Sequence, residues 1–212
     1  MNIKQVDRLL NDIGRLTIAT HTSLEEESDL GENYYKVRLN NNDWEFLFIE
    51  RERQNTGGES LIKTFDNKID AIKFYYLFQL HRHFFSHYIQ PFKSSNKDIN
   101  IDRPGSILND LKEALRRLNI NTSYFSLDGK LKEHSILLER INNEESKVSF
   151  IGKDDKKVMT SQLLENWEIY SYMYRLVYYL YLFDQHYADL RKNKEIGKIF
   201  TDEDYKTLLV GR

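Results

Sequence analysis

The chain has 212 residues, 40% apolar and 30% charged, with a formal net charge of −2 and a mean hydropathy of −0.64. That length allows one large domain or two small ones, and the even charge balance argues against a protein built to grip phosphate backbones. The complete lack of cysteine excludes disulfides, thiol catalysis and thiolate metal sites.

Taken in order, the N-terminus lacks an apolar signal core, and Ile3, Val6, Leu9, Leu10, Ile13 and Leu16 mark one face of an amphipathic helix. A short strand is expected at Thr17–Thr20. The next stretch, Leu24–Asn33, reads as an acidic loop. Twenty residues between Arg15 and Lys36 carry no Lys or Arg, while Glu25, Glu26, Glu27, Asp29 and Glu32 accumulate there. Tyr34–Leu39 and Trp44–Glu50 are expected as strands joined at Asn40–Asp43, residues that tolerate left-handed geometry. A third strand, Ser60–Thr64, follows the turn at Thr56-Gly57-Gly58, and a long helix starts near Asp66.

Within that helix, Phe74–Phe92 holds eight aromatic residues. A later run, Trp167–Tyr187, holds nine, so the two windows contain more than half of the chain's aromatics. Both are too long for strands and are apolar around much of a helical circumference, which predicts two central helices covered on more than one side. Arg175 and Asp184 interrupt the later run, so it is not expected to span a membrane. Leu, Ile and Met among the tyrosines favour core packing over a base-stacking platform.

The polar stretch 90–105 holds both prolines and reads as a linker. Beyond it the elements recur. At a shift of 102 residues, Arg15-Leu16-x-Ile18-x-Thr20 falls on Arg117-Leu118-x-Ile120-x-Thr122, Phe48-Ile49 on Phe150-Ile151, and Tyr76 on Tyr178. A helix with Ile107, Leu108, Leu111, Leu115 and Leu118 on one face leads to a short strand at Thr122–Leu127. Strands Ser135–Ile141, Ser146–Ile151 and Lys156–Thr160 follow, then the second aromatic helix from near Ser161. In the tail, Thr201–Asp204 has the form of a capping box. The expected fold is therefore α+β. Two tandem copies of a helix, a four-stranded antiparallel meander and a long helix pack as a pseudo-twofold pair. The boundaries are 1–89, a linker 90–105, 106–190, and a tail 191–212 with a short helix.

Chemistry-bearing motifs are sparse. No nucleophile elbow, Walker loop, dinucleotide fingerprint or H-E-x-x-H is present. His83 and His87, four apart beside His81, are weak candidates for a metal, with no third ligand evident nearby. No cofactor or catalytic residue is assigned. The feature that stands out is the acidic stretch, which would attract a basic partner.

The order Trp44-x-Phe46-x-Phe48, Glu50-Arg51, then Phe65-Asp66-Asn67-x-x-Asp70-Ala71-x-x-Phe74 resembles small bacterial immunity proteins of polymorphic toxin systems. The resemblance covers about 40 residues. The second unit departs from it, with Ser146 in place of the Trp and Met173 in place of the Ala. It implies a cytoplasmic, non-enzymatic protein that binds a co-encoded secreted toxin and occludes its active site. A toxin with a basic nuclease domain would suit Glu25, Glu26, Glu27, Asp29, Glu32, Asp43, Glu50 and Glu52 as partner-binding residues. Neither direct nucleic-acid binding nor a membrane partner is expected, and the protein would act as a monomer or homodimer. The competing readings are a scaffolding protein that dimerises through its tyrosine-rich helices, and a hydrolase using groove carboxylates or histidines.

Overall fold

A computed structural model of the chain describes residues 1–29, 31–51, 58–101, 103–194 and 200–211. The architecture is α+β, and the chain divides into two compact units, 1–83 and 84–212. The boundary falls inside a helical stretch and not at the expected linker. Residues 90–105 are in fact part of the second unit: Gln90–Ser95 are helical, and Ile99 and Ile101 are buried.

The first unit opens with α1 (Ile3–Asp12), capped by the Asn2 side chain, which accepts from the Gln5 amide at 2.9 Å. Its buried face, Ile3, Val6, Leu9 and Leu10, is the one read from periodicity. Gly14, at φ +78°, ends the helix short of the expected Leu16. Five antiparallel strands follow in sequence order: β1 (Thr17–Ala19), β2 (Ser23–Glu26), β3 (Tyr34–Asn40), β4 (Asp43–Ile49) and β5 (Glu59–Phe65). The expected meander of four is thus five. The added strand is β2, which comes from the first residues of the stretch read as an acidic loop.

The β3–β4 hairpin turns where expected, with Asn40 opposite Asp43 and Asn41 left-handed at φ 55°. Alternation then sorts β3 and β4 onto two faces. Tyr35, Val37 and Phe46 pack towards α2 (Lys68–Phe84). Tyr35 lies 4.5 Å from Phe78, and Phe46 lies 5.1 Å from Phe74 and 5.0 Å from Phe78, between ring centroids. The other face carries an apolar island of Tyr34, Leu47 and Ile49. Ion pairs cross the strands on that face: Glu25 with the neighbouring Lys36 at 2.7 Å, and Arg38 with the neighbouring Glu45 at 3.2 Å and, across β4, with Glu59 at 2.7 Å. In α2, Phe74 to Leu80 are buried without exception. Seven consecutive residues make about two turns, so the helix is covered all round, as its composition demands.

The second unit begins with a π-helical turn at Phe85–Ile89, followed by α3 (Gln90–Ser95) and α4 (Leu108–Arg117). Its sheet contains β6 (Phe125–Ser126), β7 (Ser135–Arg140), β8 (Glu145–Ile151), β9 (Lys157–Thr160) and β10 (Leu164–Glu165). Here the expected meander fails in a second way. β6 runs parallel to β7, while β9 and β10 lie in turn along β8 as one interrupted edge. The long helix α5 (Asn166–Lys192) buries Tyr170, Tyr174, Tyr178 and Tyr179. The Tyr174 hydroxyl donates to the Ile89 carbonyl at 3.1 Å, which satisfies a polar group that burial would otherwise penalise.

Helix α6 (Asp202–Val210) carries the capping box read from the sequence. The Asp204 carboxylate accepts from the Thr201 amide at 2.8 Å, and the Asp204 amide donates to Thr201 Oγ1 at 3.3 Å. Among the described residues, no helix is long and apolar enough to cross a membrane.

The contrast between β4 and β5 gives a stability test. Phe46 is 1% exposed within an aromatic cluster, whereas Leu61 of β5 is 57% exposed. Phe46→Ala is expected to cost about 3–5 kcal/mol in urea denaturation. Leu61→Ala should stay within about 0.5 kcal/mol of the parent.

Candidate functional site

The acidic stretch folds into two parts with different roles. Glu25 and Glu26 belong to β2, so alternation sends their side chains to opposite faces of the sheet. Glu25 is consumed by its cross-strand pair with Lys36. Glu26 turns towards α2 and is held at both oxygens. Its Oε1 accepts from Arg15 Nη2 at 2.7 Å and from Arg82 Nη1, and its Oε2 accepts from the Tyr35 amide at 2.7 Å. Arg15 also donates to Gln79 Oε1 at 2.7 Å, and the Arg82 guanidinium lies 4.9 Å over the Tyr35 ring.

One carboxylate thus ties together β2, β3, α2 and the turn after α1. Burial, with the adjacent Arg82 charge, lowers the pKa of Arg15 against the pull of Glu26. Burial, aided by the Glu26 charge, holds the Tyr75 phenol well above its ordinary value.

Around this clamp is a cleft of about 290 Å³ lined by Arg15, Glu26, Glu27, Glu32, Asn33 and Arg82, among others. Glu27, Asp29 and Glu32 are exposed. The Glu27 amide donates to the Leu16 carbonyl at 2.9 Å, and the Glu32 amide donates to the carbonyl of its fellow rim residue Asp29 at 3.2 Å. Glu50, half-buried, adjoins Arg51, whose amide donates to Asn33 Oδ1 at 2.8 Å, so Glu50 reaches the same end of the sheet.

Asp43 does not join them. It opens β4 at the hairpin turn, a strand length of roughly 20 Å away. Glu52 lies outside the described residues. Of the eight candidates, the fold therefore gathers Glu26, Glu27, Asp29, Glu32 and Glu50, and it spends Glu26 internally. What the linear reading missed is Arg15 and Arg82, 11 and 56 residues from Glu26, which make the cleft floor cationic beneath an acidic rim.

The histidine group does not assemble a metal centre. His83 is buried in α2, and His87 lies on the π turn with its Nδ1 2.8 Å from Ser86 Oγ. Among the described residues no cluster of three or more His, Asp or Glu is placed to hold a metal.

The second unit has a polar centre that the sequence did not announce. Asp184 of α5 hydrogen-bonds to His134 Nε2 at 2.8 Å and accepts from the Tyr205 hydroxyl at 3.1 Å. His134 has φ 57°, an uncommon conformation for a residue with a side chain, and its ring stands edge-on to Tyr205 at 4.6 Å. The neighbouring Ser135 hydroxyl is committed to the Lys132 carbonyl at 2.7 Å. The arrangement fastens α5, α6 and the entry to β7 to one carboxylate. Burial first, and the Asp184 charge second, push the Tyr124 phenol up to about 12.

Comparison of the chain with protein-family models, curated proteins and solved structures finds no match.

Two measurements test these centres. Glu26→Ala leaves two partly buried guanidiniums and the Tyr35 amide without their acceptor. It should cost about 2 kcal/mol, while Glu27→Ala at the exposed rim should cost under about 0.5 kcal/mol, both by urea denaturation. The folded state holds the Tyr124 proton more tightly than the unfolded chain does. That contribution to stability is whole below the unfolded value of 10 and is lost as pH rises through about 12. In Asp184→Asn, phenolate absorbance should show Tyr124 ionising at lower pH.

Proposed function

We propose that the protein is a bacterial immunity protein that binds a cognate secreted toxin and neutralises it by occluding its active site. The observation that carries this reading is the exposed acidic rim of Glu27, Asp29 and Glu32, joined by Glu50 and mounted on the Glu26–Arg15–Arg82 clamp. Clustered acidic groups on a surface accelerate encounter with a basic partner. A toxin whose active site is a cationic cleft, as in a nuclease, is the complementary partner. Occlusion then needs only steric fit and charge, with no catalytic residue of this chain.

The two units are read as tandem copies of one helix–sheet–long helix design. Supporting this, β4 (Asp43–Ile49) and β8 (Glu145–Ile151) have the same length and fall at the 102-residue shift, and each unit has a long aromatic helix after its sheet. The parallel β6 is a departure in the second copy. The residues that carry the immunity-protein resemblance serve packing: Trp44 and Phe46 are buried in β4, and Ala71 and Phe74 in α2. Recognition in this reading falls to the rim and not to the motif. The competing reading, a scaffold joined through tyrosine-rich helices, has little support, because Tyr75, Tyr76, Tyr174 and Tyr179 are core residues.

The test has two parts. A gene for a secreted toxin is expected beside this one, and co-expression should protect cells from that toxin. Replacing Glu27, Asp29 and Glu32 together by Lys should weaken binding about 100-fold or more, mainly by slowing association, with the melting temperature little changed. Undiminished protection by the variant would remove the rim from the mechanism.

A further inference from the structure

The far end of the β1–β2 hairpin has the opposite electrostatic character to the acidic rim. A cavity of about 460 Å³ there is lined by Asn2, Ile3 and Lys4 at the start of α1, by Ala19, Thr20 and His21 at the hairpin turn, and by Lys68 at the start of α2. Three of these seven side chains are basic, and none is a carboxylate.

Lys68 is aimed by two contacts. Its ammonium donates to the His21 carbonyl at 3.2 Å and lies 5.4 Å from the centre of the Trp44 ring. Neither contact neutralises it. Lys4 and His21 are exposed, and neither side chain pairs with an acid among the described residues. The surrounding polar groups are already committed. Asn2 caps α1, and Thr20 Oγ1 is shared among Ser23 Oγ at 2.8 Å and the amides of Thr22 and Ser23.

Five other basic groups of this unit are paired with acids, whereas Lys63 and Arg51, like Lys68, lie over aromatic rings. Arg15 and Arg82 share Glu26, Arg38 bridges Glu45 and Glu59, Lys36 holds Glu25, and Lys73 approaches Asp70. In a chain of net charge −2, the Lys4 and Lys68 ammonium groups line one cavity with no acid among its lining residues, a setting that favours entry of an anion.

We propose that this cavity is a binding site for a phosphate-type dianion, held by Lys4, His21 and Lys68. Ammonium groups suit a phosphate as point charges that need no fixed fork geometry. The volume exceeds that of a bare phosphate and leaves room for the group to which it is attached, so a phosphomonoester is the fitting ligand class. The site is separate from the acidic rim and does not depend on the identity of any protein partner.

Calorimetric titration at fixed ionic strength tests the proposal, with inorganic phosphate, adenosine monophosphate and a phosphoserine peptide as probes and chloride as the screening control. Phosphate should bind saturably at about millimolar concentration and shift the His21 ring resonances. Lys4→Ala and Lys68→Ala should each weaken binding about tenfold, and the double variant should abolish it, while Lys73→Ala outside the cavity leaves it intact. Because Lys4 is exposed on the first turn of α1, its variant should keep the parent melting temperature, separating loss of binding from loss of fold. Tighter binding of the nucleotide or the peptide than of inorganic phosphate identifies the source of the phosphate. Equal binding shows that the site reads the phosphate group alone. No saturable binding of any of the three at about 10 mM, or equal binding by the double variant, overturns the proposal.

Discussion

The first unit depends on one carboxylate accepting from three donors. Glu26 joins β2 to β3 through a backbone amide and to α1's exit and α2 through two guanidiniums. Such an arrangement contributes less to net stability than its short contacts suggest, because three charges must be partly stripped of water. Its larger effect is on geometry. It sets where α2 crosses the sheet, and it decides that the acids following Glu26 project outward from a fixed base. The aromatic contacts of Tyr35 and Phe46 with Phe74 and Phe78 then fill the interface at that crossing.

Much of the fold was legible because it follows from periodicity and turn chemistry. The apolar face of α1, the Asn-rich hairpin between β3 and β4, the burial of Phe74 to Leu80 and of Leu176 to Leu180 within the aromatic runs and the Thr201 capping box each follow from a local rule, whereas Phe85 and Tyr88, read as core, are exposed. What escaped depends on partners distant in the chain. β2 reads Ser-Leu-Glu-Glu, with only Leu24 fully buried, so nothing in its own composition marks a strand. It is a strand because β1 and β3 flank it and because Lys36 and Arg15 absorb its charges. The two-residue β6 is too short to carry any period, and its parallel pairing with β7 was not readable. The acidic rim was visible as a run of like charge. Its cationic floor was not, since Arg15 and Arg82 arrive from other elements.

Charge in the first unit is sorted along a single hairpin. The open end of β1 and β2 meets Glu27 and Glu32, while the turn between them meets Lys4, His21 and Lys68. A formal charge near zero therefore conceals a local dipole, and averages over the chain understate what a charged ligand meets on approach. The second unit spends its polar groups differently. Asp184 fastens three elements through His134 and Tyr205, a structural use of groups that elsewhere serve catalysis.

β5 is the one long strand of the first sheet left open to solvent on both faces, with Leu61 and Ile62 bare at its middle. Its pairing with β4 slips by one residue there, so that Ile62 is left over as a bulge. Bulges bend an edge away from the flat geometry on which a further strand could grow. On that physical ground the irregularity disfavours strand addition at this edge. A deletion that made the ladder regular would leave a smoother sheet and expose an adhesive margin to every neighbouring molecule.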